Sequence, residues 1–423
     1  MTMNFLFEGD VLANPNPTVV IVNRNYPPRA GITGASACEL GRFLEDQYKI
    51  NVKVITCNSR YDGNQSGIEP VGEIESIPSW YNGKNNLLRL ATSFVESFRL
   101  LWAARKTQSD YMIVMTDPQF LSFWASILIK QDQSWIYWAM DVYPDAFAGG
   151  GLVSPDNWIY RKVHQQAYRN APDHLISLGD QQTDFLCRQY GSEIESTVLP
   201  CGVFHRRTEG RMPEWKIKNR NKILLGYCGN LGKAQSTEFL KSVIKDFDRE
   251  RFHLILSVYG AKSDEILEFA SQYADEITVV PAVPRNQLSM IDVHLVSLLD
   301  SWIDLCVPSK AVSAVCARSS ILFVGSEQCD TWEMLGDAGW RVDPTVALEK
   351  GIAETLSQID ADSLKLKKRR ASQVARDLQK TTEVGMHQLG QLISGRPAPR
   401  HGITTGDSNA PIEMPISNST GSV

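Results

Sequence analysis

The sequence lacks the features that mark a metal, redox or secreted protein. Its eight cysteines form no C-x-x-C pair and have no zinc-type spacing with the seven histidines, so a zinc site is not expected. We predict that the cysteines are reduced and mostly buried. The amino terminus has no signal-peptide pattern, and the longest nearly uninterrupted apolar run, 120–129, is half a membrane span. A cytoplasmic protein without a membrane-spanning helix is therefore expected.

A strong excess of charge of either sign is also missing. The chain carries 43 basic and 48 acidic side chains, a net charge of −5, which argues against nucleic acid as its main partner. With 43% hydrophobic and 22% charged residues, the composition is that of a globular protein with a buried core. At roughly 100–200 residues per domain, a chain of 423 residues is expected to form two or three domains.

Apolar segments typical of buried strands alternate with helical segments in two successive series. The predicted strands of the first series are 18–23, 51–57, 111–116, 134–140 and 174–179, and the segment 196–203 closes it; those of the second are 222–229, 253–260, 276–283, 293–299 and 320–325. A polar segment broken by glycine and proline, 204–221, separates the series and is the best linker candidate. The pattern predicts an α/β protein with two tandem doubly wound Rossmann-like domains. Their predicted bounds are 1–207 and 208–394, with closing helices in 364–393 and a disordered tail at 395–423.

Glycine-rich turns follow the first strand of each series. Gly31 and Gly34 precede or open a predicted helix, and Gly229, Asn230 and Gly232 lie between the strand at 222–229 and a helix that begins near Ser236. Such turns direct free N–H groups and a helix dipole toward an anion such as a diphosphate. They also occur where two elements merely pack closely, so a structural role stays open for each turn. Neither turn has the spacing of a Walker loop or a full dinucleotide fingerprint.

Two further side chains occur at loop positions where chemistry is expected. Ser309 and Lys310 follow Pro308 at a predicted helix start, where the lysine could neutralise phosphate charge; the alternative is a capping serine and a solvated lysine. Asp141 follows the strand at 134–140 and is either a polar group of the cleft or a cap of the next turn.

Five ordered motifs give the chain a family resemblance over about residues 18–390. They are NRNYPPRAGITGASACELGRFL at 23–44, YWAMDVYPDA at 137–146, LLGYCGNLGKAQSTEFL at 224–240, LILSVYG at 254–260 and DLCVPSKAVSAVCARSSILFVG at 304–325. With these motifs the chain resembles the retaining nucleotide-sugar glycosyltransferases of the GT-B fold, family-4-like, in a subgroup with a VPSK motif. The resemblance implies two facing domains, the first binding a hydroxyl acceptor and the second a nucleoside-diphosphate sugar.

The resemblance also implies roles for individual residues. Donor-binding residues would be Gly31 and Gly34 on the acceptor side and Gly229, Asn230, Gly232, Gly260, Asp304, Ser309 and Lys310 on the donor side. Asp141 would orient the acceptor or stabilise the developing positive charge, and Lys310 would stabilise the leaving diphosphate. Such enzymes need no metal or further cofactor. The D-x-D match at Asp360 and Asp362 precedes a basic helix and is interpreted as a helix cap, not a metal site.

The chain departs from the family pattern at several donor-binding positions. Asn230 and Gln235 replace an arginine and a lysine, Leu305 and Ser313 replace two glutamates, Arg318 and Ser320 replace a glycine and a proline, and Met140 replaces a histidine. Either Lys310 carries the charge supplied elsewhere by other residues, or catalysis is lost and nucleotide-sugar or partner binding is kept. A nucleotide-sugar 2-epimerase is a third, weaker hypothesis.

Two basic segments complete the sequence-based hypotheses. The segment 80–108 has amphipathic helical spacing and carries five basic residues against one acid, Glu96. Such a helix could contact an anionic membrane and a lipid-linked acceptor, or it could pack on the first sheet with a solvated basic rim. The KLKKRR run at 365–370 is predicted to be an exposed helix face.

Overall fold

The computed structural model describes residues 16–28, 31–58, 68–80, 86–130, 132–204 and 211–395. Two units follow one another along the chain. The first contains β1 (Thr18–Val22), α1 (Ile32–Phe43), a π-helical turn (Leu44–Tyr48), β2 (Asn51–Asn58), β3 (Glu73–Pro78), α2 (Asn86–Ala104), β4 (Tyr111–Val114), α3 (Leu121–Leu128), β5 (Ser134–Trp138), α4 (Asp145–Gly149), α5 (Trp158–Ala167), β6 (His174–Ser177), α6 (Asp180–Tyr190) and β7 (Ser196–Val198).

The second unit repeats the alternation of strands and helices. It contains α7 (Glu214–Lys218), β8 (Ile223–Asn230), α8 (Thr237–Asp246), β9 (Phe252–Tyr259), α9 (Ser263–Ser271), β10 (Ile277–Val279), β11 (Val293–Ser297), α10 (Ser309–Cys316), β12 (Ser320–Val324), α11 (Asp330–Leu335), β13 (Gly339–Val342), α12 (Leu348–Ser357) and α13 (Ala361–Ser394). Short 3-10 turns at Arg285–Met290, Asp300–Trp302 and Gly336–Ala338 connect some of these elements.

Each unit is built on one parallel sheet. The first sheet has seven strands in the order β3-β2-β1-β4-β5-β6-β7, and the second has six in the order β10-β9-β8-β11-β12-β13. In the first, Val20 pairs with Lys53 on one side and Met112 on the other. The central strands are apolar and fully buried, as parallel strands covered on both faces must be. The predicted α/β architecture of two doubly wound units is confirmed.

The structure adds elements that the sequence pattern did not indicate. Strand β3 lies at the edge of the first sheet, and its alternating polar residues are mostly exposed, so it carries no apolar run. Strand β13 is a four-residue edge strand of the second sheet. Helix α7 lies within the predicted linker, and its Trp215 is buried against Leu224 and Ile291. The part of that linker from 211 onward is therefore packed on the second unit, and 205–210 lies outside the described residues.

One long helix is the last element of the described residues. Helix α13 has 34 residues, and Asp360 caps its N-terminus by accepting from the Ser363 backbone N–H, as predicted. Its first turns contact the second unit, while the hydroxyl of Tyr48 in the first unit lies 3.0 Å from His387 Nδ1. A Cβ on Gly390 would overlap the Tyr48 ring. The helix thus packs on both units, and the predicted tail from 396 lies outside the described residues.

Helix α2 packs on the first sheet through one side. Glu96, Leu100 and Leu101 on this side are buried. Its outer side exposes Trp102, with Arg105 5.8 Å from the centre of the indole ring. The helix therefore combines a packed inner face with an outer face that is both apolar and basic.

The eight cysteines are unpaired and mostly buried, as predicted. Within the described residues, no helix has both the length and the apolar character needed to cross a membrane.

Candidate functional site

The core of the candidate donor side lies where β8 and β9 end. Gly229 and Asn230 are still part of β8 and pair with Val258 and Tyr259 of β9, so the predicted turn begins later than the sequence indicated. The backbone of Gly229 has φ +133° and that of Gly260, just after β9, has φ +107°. A Cβ on Gly260 would overlap the side-chain oxygen of Asn230. Both glycines are required by backbone conformation, and Gly260 also by contact.

Lys310 lies directly against this strand end. It is the second residue of α10, and its ammonium group donates to the Tyr227 hydroxyl and, at 2.7 Å, to the Asn230 carbonyl. The ammonium also lies 4.2 Å from the centre of the Tyr227 ring. Burial of the ammonium lowers the pKa of Lys310 to about 7. The structure therefore brings Gly229, Asn230 and Lys310 together, around a tyrosine that sequence reasoning missed.

The turn after β8 forms hydrogen bonds within itself that the sequence did not indicate. The Gly232 backbone N–H donates to Gln235 Oε1 at 2.8 Å, so this predicted anion ligand already has a partner. Helix α8 starts as predicted, with Ser236 capping the Phe239 N–H. Lys262 donates to the Gln235 carbonyl at 2.7 Å, and burial lowers the pKa of that lysine. A cation missed by the motif comparison thus lies at this turn.

Ser309 opens helix α10 beside the connection between the two units. A Cβ on Gly202 would lie 2.7 Å from the Ser309 carbonyl oxygen. Ser313, in place of the family's second glutamate, donates to the Gly202 carbonyl at 2.9 Å. The N-terminal turns of α10 are therefore held against a loop of the first unit.

Asp141 lies on the first-unit side of the same cleft. The backbone N–H of the next residue, Val142, donates to the Leu305 carbonyl of the second unit at 2.9 Å. The Asp141 carboxylate is reached by solvent but closely surrounded by protein, and this desolvation, aided by Asp117, raises its pKa to about 6. It makes no side-chain hydrogen bond or ion pair with the described residues. Its carboxylate is thus available to a ligand.

The buried Cys306 connects the two predicted catalytic residues. Burial raises the pKa of its thiol, the Asp141 charge raises it further, and the Lys310 charge lowers it. Asp141 and Lys310 therefore lie on the same part of the cleft, each close enough to Cys306 to act on it electrostatically. A carboxylate from the first unit and a cation from the second thus both act on the same buried thiol.

The N-terminus of α1 reaches this region from the first unit. Gly31 precedes the helix without providing a side-chain cap, and Gly34 is buried in its first turn. Burial raises the pKa of the Cys201 thiol, the Ser36 side chain lowers it and the Asp141 charge raises it further. Ser36, in the first turns of α1, and Asp141 therefore both lie near the Cys201 thiol, while the role of Gly31 and Gly34 in binding a diphosphate stays a prediction.

Asp304 occupies a separate cavity between the two units. The cavity has a volume of about 470 Å³ and is bordered by α4, α5, α6 and the 300–305 segment. Within it, Asp145 accepts from His164 Nε2 at 3.0 Å and from the Tyr168 hydroxyl. Burial raises the pKa of Asp304, against the opposing effect of Arg188. The structure groups Asp304 with Asp145 and His164.

A partly buried polar cluster at the ends of β1 and β4 was not found from the sequence. Arg24 forms ion pairs with Glu96 at 3.2 Å and Asp117 at 3.5 Å, and it donates to Ser93 at 2.6 Å. Asn25 donates to Asp117 as well. The available signal was the position of charged residues directly after two central strands, but nothing local indicated that they would pair through helix α2.

Metal chemistry has no evident protein ligands in the described part of the chain. There, no three His, Cys, Asp or Glu side chains are grouped as a metal site would require.

The comparisons with known proteins point to one fold. No protein-family model matches the chain. A Pseudomonas aeruginosa protein described as probable glycosyltransferase WbjE is 26% identical over 313 residues, covering 67% of this chain and 76% of that protein. The structure of WaaG, a glycosyltransferase of lipopolysaccharide biosynthesis, matches with a TM-score of 0.61 and 16% identity over 89% of this chain and all of that one.

A second solved structure holds ligands. Alr3699/HepE of Anabaena, in complex with UDP and glucose, matches with a TM-score of 0.61 and 14% identity, over 90% of this chain and 100% of that one. Both likenesses extend over about nine-tenths of this chain, so they include both of its parallel sheets. The chain is therefore a GT-B-fold protein that is similar in sequence to a protein described as a probable glycosyltransferase.

Proposed function

We propose that the protein is a metal-independent retaining glycosyltransferase that moves a sugar from a nucleoside-diphosphate sugar to a hydroxyl acceptor. The observation that carries the proposal is the meeting of Gly229, Asn230 and Lys310 at one side of the cleft, with the unpartnered carboxylate of Asp141 at the other. A glycine lets the backbone approach a diphosphate closely, and an adjacent cation neutralises the diphosphate's charge. Similarity to WbjE and to a fold relative that holds UDP and glucose supports this donor class.

The proposed reaction separates charge between two groups that these residues can stabilise. The bond from the anomeric carbon to the diphosphate oxygen breaks, and a bond to the acceptor oxygen forms on the same face of the sugar. The leaving phosphate oxygen takes the acceptor's hydroxyl proton. Lys310 and the α1 N-terminus stabilise the leaving group, while Asp141 stabilises the positive anomeric carbon or orients the acceptor. No further cofactor enters this scheme.

Other lysines can supply charge that the family motif residues would provide. Lys262 donates a hydrogen bond to the carbonyl of Gln235, which is one of the positions where the chain departs from the family pattern. Lys233 belongs to the same turn, and a Cβ on Gly150 of the first unit would lie 2.9 Å from its Cδ. We propose that Lys233 and Lys262 help to hold the donor diphosphate in place of the missing arginine and lysine.

The outer face of α2 supports a membrane-associated acceptor. Leu88, Phe94 and Trp102 are exposed there, and Arg99 lies 4.6 Å from the centre of the exposed Trp80 ring. Exposed apolar rings with cations at their edges suit the interface of an anionic membrane. We propose a lipid-linked acceptor of a polysaccharide, glycolipid or glycoconjugate pathway, used at the cytoplasmic face. Co-sedimentation with anionic but not neutral vesicles, reduced by Trp102→Ser with Arg105→Gln, tests this part.

The second candidate function is nucleotide-sugar or partner binding without catalysis. It is favoured by Gln235 and Ser313, because their side chains form internal hydrogen bonds with Gly232 and Gly202 in place of contacts with a donor. The third, a 2-epimerase, has no comparable support.

One experiment separates these functions. The protein is incubated with UDP-, GDP- and ADP-sugars, and donor binding, slow donor hydrolysis and the configuration of the sugar are measured. Binding with hydrolysis that retains the anomeric configuration supports the transferase. Binding without turnover supports the silent protein, and an epimerised sugar supports the epimerase. Absence of binding to every donor contradicts the transferase, the epimerase and the nucleotide-sugar-binding form of the silent protein, and leaves only partner binding.

A further inference from the structure

A basic groove lies at the opposite end of the second sheet from the candidate donor site. It has a volume of about 590 Å³. Its lining residues are Ile223, Arg318, Ala361, Leu364, Lys365, Lys368, Arg369 and Ser372. Ile223 is the first residue of β8, and Gly229 follows six residues later, so the two places are about 20 Å apart along the strand. The groove is therefore distinct from the cleft.

The protein neutralises only part of the charge of this groove. Among the described lining residues there are four cations and no carboxylate. Lys368 pairs with Asp292 at 2.5 Å, but the other oxygen of Asp292 already accepts from the Leu224 N–H and lies 3.6 Å from Lys216. The side chains of the remaining cations form no hydrogen bond or ion pair within the described part of the chain; they are Arg318, Lys365 and Arg369.

Both sides of the groove hold cations in unfavourable arrangements. Lys365, Lys368 and Arg369 have spacings of three and four residues on α13, which places like charges on one helix face where they repel. Across from them, Arg318 has φ +62°, a left-handed conformation that glycine adopts more easily. The KLKKRR run, predicted to be an exposed helix face, thus also forms one wall of a basic groove.

We propose that this groove binds a ligand that carries two or more phosphate charges. Guanidinium groups bind phosphate oxygens with paired hydrogen bonds, and lysines add point charges. An anion placed between α13 and Arg318 would remove the mutual repulsion of the three unpaired cations. A groove of this volume accommodates an oligophosphate or a phosphorylated lipid headgroup.

The test uses the full chain and two charge-matched double variants. Lys365→Gln with Arg369→Gln removes two groove cations, and Arg376→Gln with Lys380→Gln removes two exposed cations further along the same helix. Tripolyphosphate binding is measured by calorimetry at fixed ionic strength, and vesicle binding by co-sedimentation with phosphatidylcholine alone or mixed with phosphatidic acid. We expect saturable binding that the groove variant weakens at least about tenfold and the control variant does not.

The outcomes distinguish the source of the phosphate. Tripolyphosphate binding that depends on the groove supports a soluble phosphorylated ligand. Groove-dependent binding to phosphatidic acid vesicles alone supports a lipid headgroup. Absence of saturable binding to either probe, or equal weakening in both variants, overturns the proposal. A thermal unfolding measurement on each variant verifies that it is folded, and donor-sugar turnover is not needed for any of these readouts.

Discussion

At the residue scale, the most informative side chain is Lys310. Its ammonium is held by the Tyr227 hydroxyl and the Asn230 carbonyl, so it is positioned before any donor binds. Such preorganisation makes a cation effective at a leaving group, because little reorganisation is needed during the reaction. The same contacts explain why the lysine is half-buried despite its charge.

Removal of Lys310 is expected to abolish most of the transfer activity. In Lys310→Ala, the rate constant kcat should fall by about 100-fold or more, because a charge that stabilises the leaving diphosphate is lost. Lys241→Ala, which removes the surface ion pairs of Lys241 with Glu238 and Glu265, is the matched control and should retain activity. The measurement is turnover at saturating donor. Wild-type turnover by Lys310→Ala would show that this lysine has no part in the chemistry.

The pH dependence of activity is expected to reflect both predicted catalytic groups. Asp141 has a pKa raised to about 6 and is charged above that value, whereas Lys310 has a pKa lowered to about 7 and is charged below it. If both charges are needed, kcat/KM in the free enzyme should be highest between these values and fall on both sides. Lys310→Arg should extend the alkaline limb upward, since a guanidinium stays charged. An unchanged alkaline limb in that variant would contradict the assignment.

At the element scale, the contact between the ends of β8 and β9 depends on Gly260. The residue combines φ +107° with a position where a Cβ would overlap the Asn230 side chain. By contrast, Gly151 has φ +66° with open space around it. Alanine substitutions at these two glycines therefore distinguish the cost of backbone conformation alone from the added cost of side-chain overlap.

Substitution of Gly260 by alanine is expected to cost more stability than substitution of Gly151. We expect Gly260→Ala to lower the free energy of unfolding by about 3 kcal/mol, because overpacking adds to backbone strain. Gly151→Ala should cost only about 1 kcal/mol from the backbone alone. Urea unfolding measures both values, and donor binding should weaken only in Gly260→Ala. Equal costs for the two variants would mean that the overlap with Asn230 relaxes freely.

At the scale of the whole molecule, a buried carboxylate joins the two units. Asp330, at the start of α11, accepts from the backbone N–H groups of Gln181 and Gln182 at 3.0 and 2.9 Å. It thereby caps α6 of the first unit, and a Cβ on Gly179 would overlap it. Burial outweighs these hydrogen bonds and raises the pKa of Asp330 to about 6.

This raised pKa gives stability a definite pH dependence. The folded state binds the Asp330 proton more tightly than the unfolded state does, so the contribution is complete at low pH and is lost as pH rises toward about 6. Between pH of about 4 and 7, the wild type should lose about 2 kcal/mol relative to Asp330→Asn. Asp184→Asn, on the exposed side of α6, the helix that Asp330 caps, should show no such difference. Parallel curves for the wild type and Asp330→Asn would refute this account.

Local patterns in the sequence predicted much of the architecture. The apolar runs are long enough to predict buried parallel strands. Ser236 and Asp360 correctly indicate where two helices begin, because capping depends on residues only a few positions apart. The edge strands β3 and β13 escaped prediction because exposed or short strands need no apolar run. The resemblance implied that Gly229, Asn230 and Lys310 bind the donor together, and the structure places the three residues in contact.

The sequence by itself determined the two-sheet architecture, the buried cysteines and the strand ends at which polar groups collect. Tertiary structure alone decided which of those groups meet. Strand order and helix packing bring Tyr227 to Lys310, Arg24 to Glu96, and Asp304 into the cavity of Asp145. The physical reason is that burial and pairing depend on contacts between segments far apart in the chain, and no local pattern encodes the charge or hydrogen-bond partner that a distant segment will supply.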